Sequence, residues 1–230
     1  MAVLIIPIAV SVHTVVSWVF AMTLIHMWHS TIFGPYFVVG AIFSGIAAIL
    51  VAMAILRKVF HLEAFFRPVH FNNLGLLLLT LCCLWTYFTF AEYLTTWYGN
   101  VPEEMAVFRA RLWGPFAPQF WVMLFGCFVI PFIILAFKKT RTIAGTVVAS
   151  LSVLLGMWLE RYVIVIGSAS FPRLAFNWDL GTYSPTLVEK AMTAAQFACF
   201  ILMFAVFTKL FPIVSIWEVK EGESAQSLPT

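Results

Sequence analysis

Long apolar runs dominate this sequence and constrain its fold more than any other feature. A helix needs about 20 apolar residues to cross the hydrocarbon core of a bilayer. Because 63% of the residues are hydrophobic and only 10% are charged, against about 25% charged in soluble domains, lipid is the expected solvent. We therefore predict an all-α, polytopic membrane helix bundle with six spans, Ala2–Ile25, Tyr36–Leu56, Leu74–Thr96, Phe120–Phe137, Ile143–Ile166 and Leu187–Phe211.

The distribution of lysine and arginine predicts the orientation. Basic residues concentrate after the second and fourth spans, at Arg57, Lys58, Arg67, Lys138, Lys139 and Arg141. Because cytoplasmic loops carry such an excess, both termini are expected in the cytoplasm. Residues 1–217 would form the bundle, and Glu218–Thr230 a flexible cytoplasmic tail. The basic residues form no patch that would indicate nucleic-acid binding.

Two connections on the predicted outer side are long and rich in proline, glycine and aromatic residues. They are Trp97–Gln119 and Gly167–Glu189. Loops of this length commonly have a function. We consider two interpretations: a docking platform for another subunit, and a cover for the helices of this chain.

The few ionisable residues inside the predicted spans are candidates for function, because the bilayer makes such groups costly. Histidine and glutamate can exchange protons near neutral pH when their surroundings tune them. The depth order of these groups suggests a proton path with a gap near the membrane centre. From the cytoplasmic side outward, the proton-path candidates are Glu63, His70, His13, Glu92, Glu160 and Arg161.

Each of these candidates also has a structural interpretation. Glu160 and Arg161 are adjacent and point about 100° apart on a helix. Each is therefore expected to pair with another group, and Glu92 is one candidate partner of Arg161. His13 has the equally weighted interpretation of a core histidine bound to a backbone or hydroxyl group. For the carboxylates, the structural interpretation is a buried ion pair.

No catalytic residue, metal site or cofactor site of the chain itself is predicted. The cysteines lie inside apolar runs without a CxxC pair, which is typical of buried structural thiols. A membrane haem needs two histidines at matching depth on facing helices, and only His13 lies deep in a span. The four cysteines are Cys82, Cys83, Cys127 and Cys199.

Several strings together resemble the polysulfide-reductase/NrfD-like family of quinone-interacting membrane subunits. The likeness is greatest to the C-terminal half of the large NrfD-like subunit of alternative complex III. The matching motifs contain His13, His70, Glu92, Glu160 and Arg161. The strings are SVHTVVSWVFAM, FGPYFVVGAIFSGIAA, FRPVHFNNLGLLLL, WTYFTFAEYLTTWYGN and GMWLERYVIV.

The resemblance implies a multi-pass subunit of the inner, cytoplasmic membrane that binds no cofactor of its own. Family members pass electrons between quinol and an extracytoplasmic iron–sulfur subunit. In alternative complex III, the iron–sulfur subunit passes electrons on to c-type cytochrome subunits that carry c-type haems. The resemblance also implies that the NrfD-like subunit translocates protons. The chain resembles only the second of the two helix bundles of the family, whereas the quinol pocket lies mostly in the first. A separate NrfD-like N-terminal half is therefore an expected partner, unless the chain is a split or truncated product.

Three functional hypotheses remain at this point. The first is a subunit of a quinol-oxidising electron-transport complex, with the quinone, the iron–sulfur clusters and the haems outside this chain. The second is a structural anchor of such a complex. A small transporter is the third, but the internal repeats of opposite topology that are typical of transporters are not visible.

Overall fold

The computed structural model describes residues 2–19, 28–170 and 183–211, and among them there is no β-strand. Five helices are long and apolar enough to cross a membrane. This confirms the all-α, multi-pass prediction and five of the six predicted spans. The helices are α1 (Ala2–Ser17), α2 (Phe33–Val59), α3 (Pro68–Gly99), α4 (Pro102–Leu112), α5 (Ala117–Ala136), α6 (Ile143–Ala169) and α7 (Leu187–Leu210).

Three predicted features fall partly or wholly outside the described residues. The first predicted span is helical over Ala2–Ser17, and residues 20–25 at its end are not described. Most of the second long outer connection, from 171 to 182, is not described either. The same holds for the predicted tail Glu218–Thr230.

Local chemistry fixes several helix ends. Pro68 is the first residue of α3, where its missing N–H has no helical partner to lose. Asn100 follows that helix in the left-handed conformation, with a φ of 48°, which asparagine tolerates better than most residues. Thr142 caps α6 by accepting a hydrogen bond from the Gly145 backbone N–H at 3.1 Å.

The residues before 182 form a bundle in which α6 packs against α2, α3, α4 and α5, and α1 packs against α2. At one end, Arg141 Nε donates to Asn72 Oδ1 at 2.8 Å and ties the start of α6 to the start of α3. At the other end, Trp28 Nε1 donates to Ser168 Oγ at 2.9 Å. The first end holds the basic residues used to predict the cytoplasmic side, so the second is the predicted outer end.

A π-helical turn over Phe125–Val129 interrupts α5, and the unusual hydrogen bonds around it have one cause. Pro131 has no N–H, so the carbonyls of Gly126 and Cys127 lose the donor that the helix would supply. The Ser152 hydroxyl donates to the Gly126 carbonyl at 2.9 Å. The Cys82 thiol donates to the Cys127 carbonyl at 3.2 Å. Neighbouring helices thus satisfy the backbone where α5 cannot.

The helix α7 belongs to a second unit that begins at Thr182. Thr186 and Glu189 form a capping box at its start. None of its residues is buried. A helix that is apolar on all sides suits a lipid or protein environment. Its Cys199 is exposed, as is Cys83 on α3, so the prediction of buried thiols is right for Cys82 and Cys127 and wrong for these two.

Candidate functional site

A cluster of charged and aromatic side chains lies at the predicted outer end of the bundle, and Glu92 forms one part of it. Glu92 is 1% exposed and accepts a hydrogen bond from the Ser30 hydroxyl. Beside it, His29 Nε2 lies 3.1 Å from Glu104 Oε1 on α4. These contacts join the segment before α2 to α3 and to α4.

Arg111 is the most deeply buried charge of the cluster. It lies on α4, outside the membrane-spanning helices, and its exposed fraction is 0%. Its guanidinium donates to the Ser168 hydroxyl and lies near the Tyr93 hydroxyl, and its Cζ lies 4.6 Å from the centroid of the Trp28 ring. Burial lowers the pKa of the Arg111 guanidinium, whereas the nearby Tyr93 hydroxyl and Glu92 carboxylate oppose that shift. Arginine stays protonated in proteins, so Arg111 is a fixed positive charge.

Glu160 on α6 is the second buried carboxylate. Trp85 Nε1 donates to its Oε1 at 2.8 Å. Its Oε2 lies 3.4 Å from Arg161 Nη1. The expectation that each of these neighbours pairs with another group is confirmed, because Glu160 binds Trp85 and Arg161 lies over the Phe37 ring. The two also pair with each other, and Glu92 binds Ser30 rather than Arg161.

Aromatic rings connect the two carboxylate regions. The Trp28 ring, which stacks on Arg111, lies 6.3 Å from the Tyr36 ring and nearly parallel to it. The Tyr36 ring lies 6.3 Å from the Trp85 ring, whose N–H binds Glu160. Four helices and the segment before α2 therefore contribute to one continuous buried cluster. The formal charges of its two carboxylates, Glu92 and Glu160, balance those of its two guanidinium groups, Arg111 and Arg161.

The other predicted proton-path residues lie elsewhere. His13 is half-buried, and its Nδ1 lies 2.7 Å from the Ala9 carbonyl of its own helix, as in the core-histidine interpretation. His70 and Glu63 are exposed at the predicted cytoplasmic end. Among the residues that the structure describes, none of these three contacts the cluster. The structure therefore brings together Glu92, Glu160 and Arg161 and leaves the other three apart.

Sequence reasoning missed Arg111, Trp28 and Tyr36. Arg111 lies in the predicted outer connection Trp97–Gln119, and both Arg111 and Trp28 are buried. A usable signal was present in α4. Its buried residues, Val107, Phe108, Ala110 and Arg111, recur at the spacing of one helical face. A charged residue on the buried face of a helix indicates a buried polar site more strongly than a charged residue in an irregular loop does.

The cluster offers hydrogen-bond donors and acceptors in a region that the surrounding helices keep dry. Such groups can position a polar ligand or exchange protons with it. Within ranges 2–19, 28–170 and 183–211, no three His, Cys, Asp or Glu side chains converge as a metal-ligand set. The exposed face of α4, with Glu103 and Arg109, is separate from the buried face. That buried face supports the interpretation of this loop as a cover, while docking on the exposed face stays a prediction.

Comparison with known proteins gives two matches. The family described as "Polysulphide reductase, NrfD" matches residues 1–173. The chain is also 28% identical, over 241 aligned positions, to a selenate reductase subunit of Mesobacillus selenatarsenatis. That alignment covers 98% of this chain and 53% of the relative, so the chain spans about half the length of the curated relative it matches. Since the family match covers well over half of the sequence, this membrane chain belongs to the NrfD polysulphide reductase family.

Proposed function

We propose that this chain is a membrane subunit of a quinone-linked oxidoreductase complex of the inner membrane. Electrons would pass from quinol in the bilayer to an extracytoplasmic iron–sulfur subunit. Membership of the NrfD family and the likeness to a selenate reductase subunit support this proposal. The onward acceptor would be a reductase subunit, which the name of that relative favours, or a c-type cytochrome, as in alternative complex III.

The single observation that carries the proposal is the buried charged cluster around Glu92, Arg111 and Glu160. A bundle that served only as an anchor would have little reason to bury two carboxylates and the Arg111 guanidinium, because such groups are costly in a membrane. The cluster lies at the predicted outer end, where an extracytoplasmic partner would dock. The α4 helix covers it and limits access of water.

We further propose that Glu92 and Glu160 form the outer part of a proton path. Their shared cluster with Tyr36 and Tyr93 supports this part of the path. His13 would be its centre, and His70 with Glu63 its inner mouth. Water would have to bridge the distances between these parts.

A structural anchor is the second candidate function. The observation in its favour is that Glu92 and Glu160 both have hydrogen-bond partners, as in a purely structural network. The two functions predict different effects of Glu92→Gln on proton release. This substitution keeps the size of the side chain and removes its proton-exchanging group.

The test is reconstitution of the affinity-purified native complex in vesicles, with quinol oxidation and proton release per electron measured together. We expect an iron–sulfur protein to co-purify, and Glu92→Gln to lower proton release per electron while Glu103→Gln, an exposed control, leaves it unchanged. Unchanged proton release in Glu92→Gln would eliminate the path. A complex without a redox partner, or without quinol oxidation, would contradict the proposed function itself.

A further inference from the structure

Arg161 is a cation at membrane depth whose donors are only partly used. Its Cζ lies 3.9 Å from the centroid of the Phe37 ring, and its Nη1 faces Glu160 Oε2 at 3.4 Å. The side chain is 28% exposed. Within the described part of the chain, Arg161 Nη1 has no hydrogen-bond partner. A guanidinium has five N–H donors, so at least one edge of it remains available.

Its depth excludes bulk water as the normal partner. Arg161 lies eight residues before the end of α6, and Phe37 lies four after the start of α2. At about 1.5 Å per residue these positions are about 6–12 Å from the helix ends. Both helices have 27 residues and are about 40 Å long, against about 30 Å of hydrocarbon. The guanidinium therefore lies several ångströms inside the apolar layer, where an unused donor is costly.

Gly40 allows the guanidinium to lie against the backbone of α2. A Cβ at this position would be 3.4 Å from Arg161 Nη2, 3.8 Å from Glu160 Oε1 and 2.9 Å from Met157 Cε. The glycine, the Phe37 ring and the Glu160 carboxylate together hold the cation at this depth. They prevent the side chain from extending toward the membrane surface, as a long basic side chain otherwise does.

We propose that Arg161 binds the headgroup oxygen of a quinone that enters from the bilayer between α2 and α6, with Glu160 beside it. This inference rests on the proposed function. A quinone carbonyl is a neutral acceptor that matches an arginine donor, and the hydroxyl of the quinol is a donor that a carboxylate can accept. A phospholipid phosphate matches less well. It would lie next to the Glu160 carboxylate, and the Glu160–Arg161 pair has no net charge to attract it.

The experiment uses the affinity-purified complex and a photoreactive azido-quinone. We expect the azido-quinone to label residues 37–44 of α2, and we expect an excess of a short-chain quinone to prevent this labelling. Arg161→Gln should reduce labelling and raise the KM for quinol about 10- to 100-fold, as expected for loss of a hydrogen bond from a charged donor, with a much smaller change in kcat. Arg109→Gln, an exposed arginine on α4, is the matched control and should change neither value.

Arg161→Lys provides a second variant, because it keeps the charge opposite Glu160 but loses the planar fork. It should give an intermediate KM at wild-type thermal stability. Labelling outside 37–44, an unchanged KM in Arg161→Gln, or displacement by anionic phospholipid but not by quinone would overturn the inference. Labelling at 37–44 in a complex that oxidises no quinol would instead contradict the proposed function and leave the binding site supported.

Discussion

Arg111 is a charged side chain without solvent contact, and its neighbours account for its stability there. The Ser168 hydroxyl accepts from its guanidinium, the Tyr93 hydroxyl lies near it, and the Trp28 ring covers one of its faces. Cation–π contacts are strongest where water is absent. One residue thus fastens α4 to α3, to α6 and to the segment before α2. The position of α4 over the cluster depends on this side chain.

Replacing Arg111 should therefore destabilise the protein more than replacing a neighbouring arginine. We expect Arg111→Met to lower the free energy of unfolding by about 1–3 kcal/mol, because the charged hydrogen bond to Ser168 and the cation–π contact with Trp28 are lost. Arg109→Met is the control on the same helix. It is exposed and should change the free energy by less than about 0.5 kcal/mol. Denaturant titration in detergent micelles measures both, and equal effects would mean that the burial of Arg111 contributes nothing.

The residues of the site were predictable only in part. Glu92 and Glu160 could be identified because a carboxylate inside an apolar run is rare and costly. Their partners could not, because Trp28, Tyr36 and Trp85 are aromatic residues among many similar ones, with 24 Phe and 9 Trp in the chain. Which aromatic residue meets a carboxylate depends on helix rotation, and no single-sequence pattern specifies that rotation.

At the scale of elements, α5 and α6 approach each other closely where they cross. A Cβ on Gly156 would lie 2.5 Å from Cys127 Sγ and 3.0 Å from the Cys127 backbone nitrogen. Small residues allow such close approach in membranes, where it supports packing between helices.

Gly156→Ala should push these two helices apart. We expect it to lower the free energy of unfolding by about 1–3 kcal/mol, the usual cost of overpacking. Gly45→Ala is the matched control, since nothing lies within 4 Å of a Cβ there. Alanine at that site should be neutral or stabilising by up to about 1 kcal/mol, because glycine is the poorer helix former. If both substitutions stabilise the protein, the helices are not in contact at Gly156.

Element boundaries were predicted less well than the elements themselves. The third span was predicted to begin at Leu74, but the helix begins at Pro68. The polar residues Asn72 and Asn73 interrupted the apolar pattern, yet Asn72 is helical and binds Arg141. The π-helical turn in α5 also escaped prediction. Pro131 marked its location, but the turn requires acceptors and donors on other helices.

At the scale of the whole molecule, the bundle formed by the residues before 182 has two ends, and the positive-inside rule predicts which of them faces the cytoplasm. Impermeant maleimide labelling tests the orientation in a chain with Cys83 and Cys199 replaced by serine. We expect Glu103→Cys, in the exposed part of α4, to react in intact cells. Lys139→Cys, in the turn between α5 and α6, should react only after permeabilisation. The reverse pattern would place the termini outside.

The side-chain bonds at the π-helical turn also bear on how the chain enters the membrane during synthesis. When α5 is inserted, Cys82 is already present and can supply a donor to the Cys127 carbonyl. The donor for the Gly126 carbonyl is Ser152, which belongs to the next helix and is not yet made. A lone α5 would therefore carry an open carbonyl in hydrocarbon, where unsatisfied backbone is costly. Insertion of α5 and α6 together, as a helical hairpin held by the tight turn at Lys138–Thr142, avoids that state.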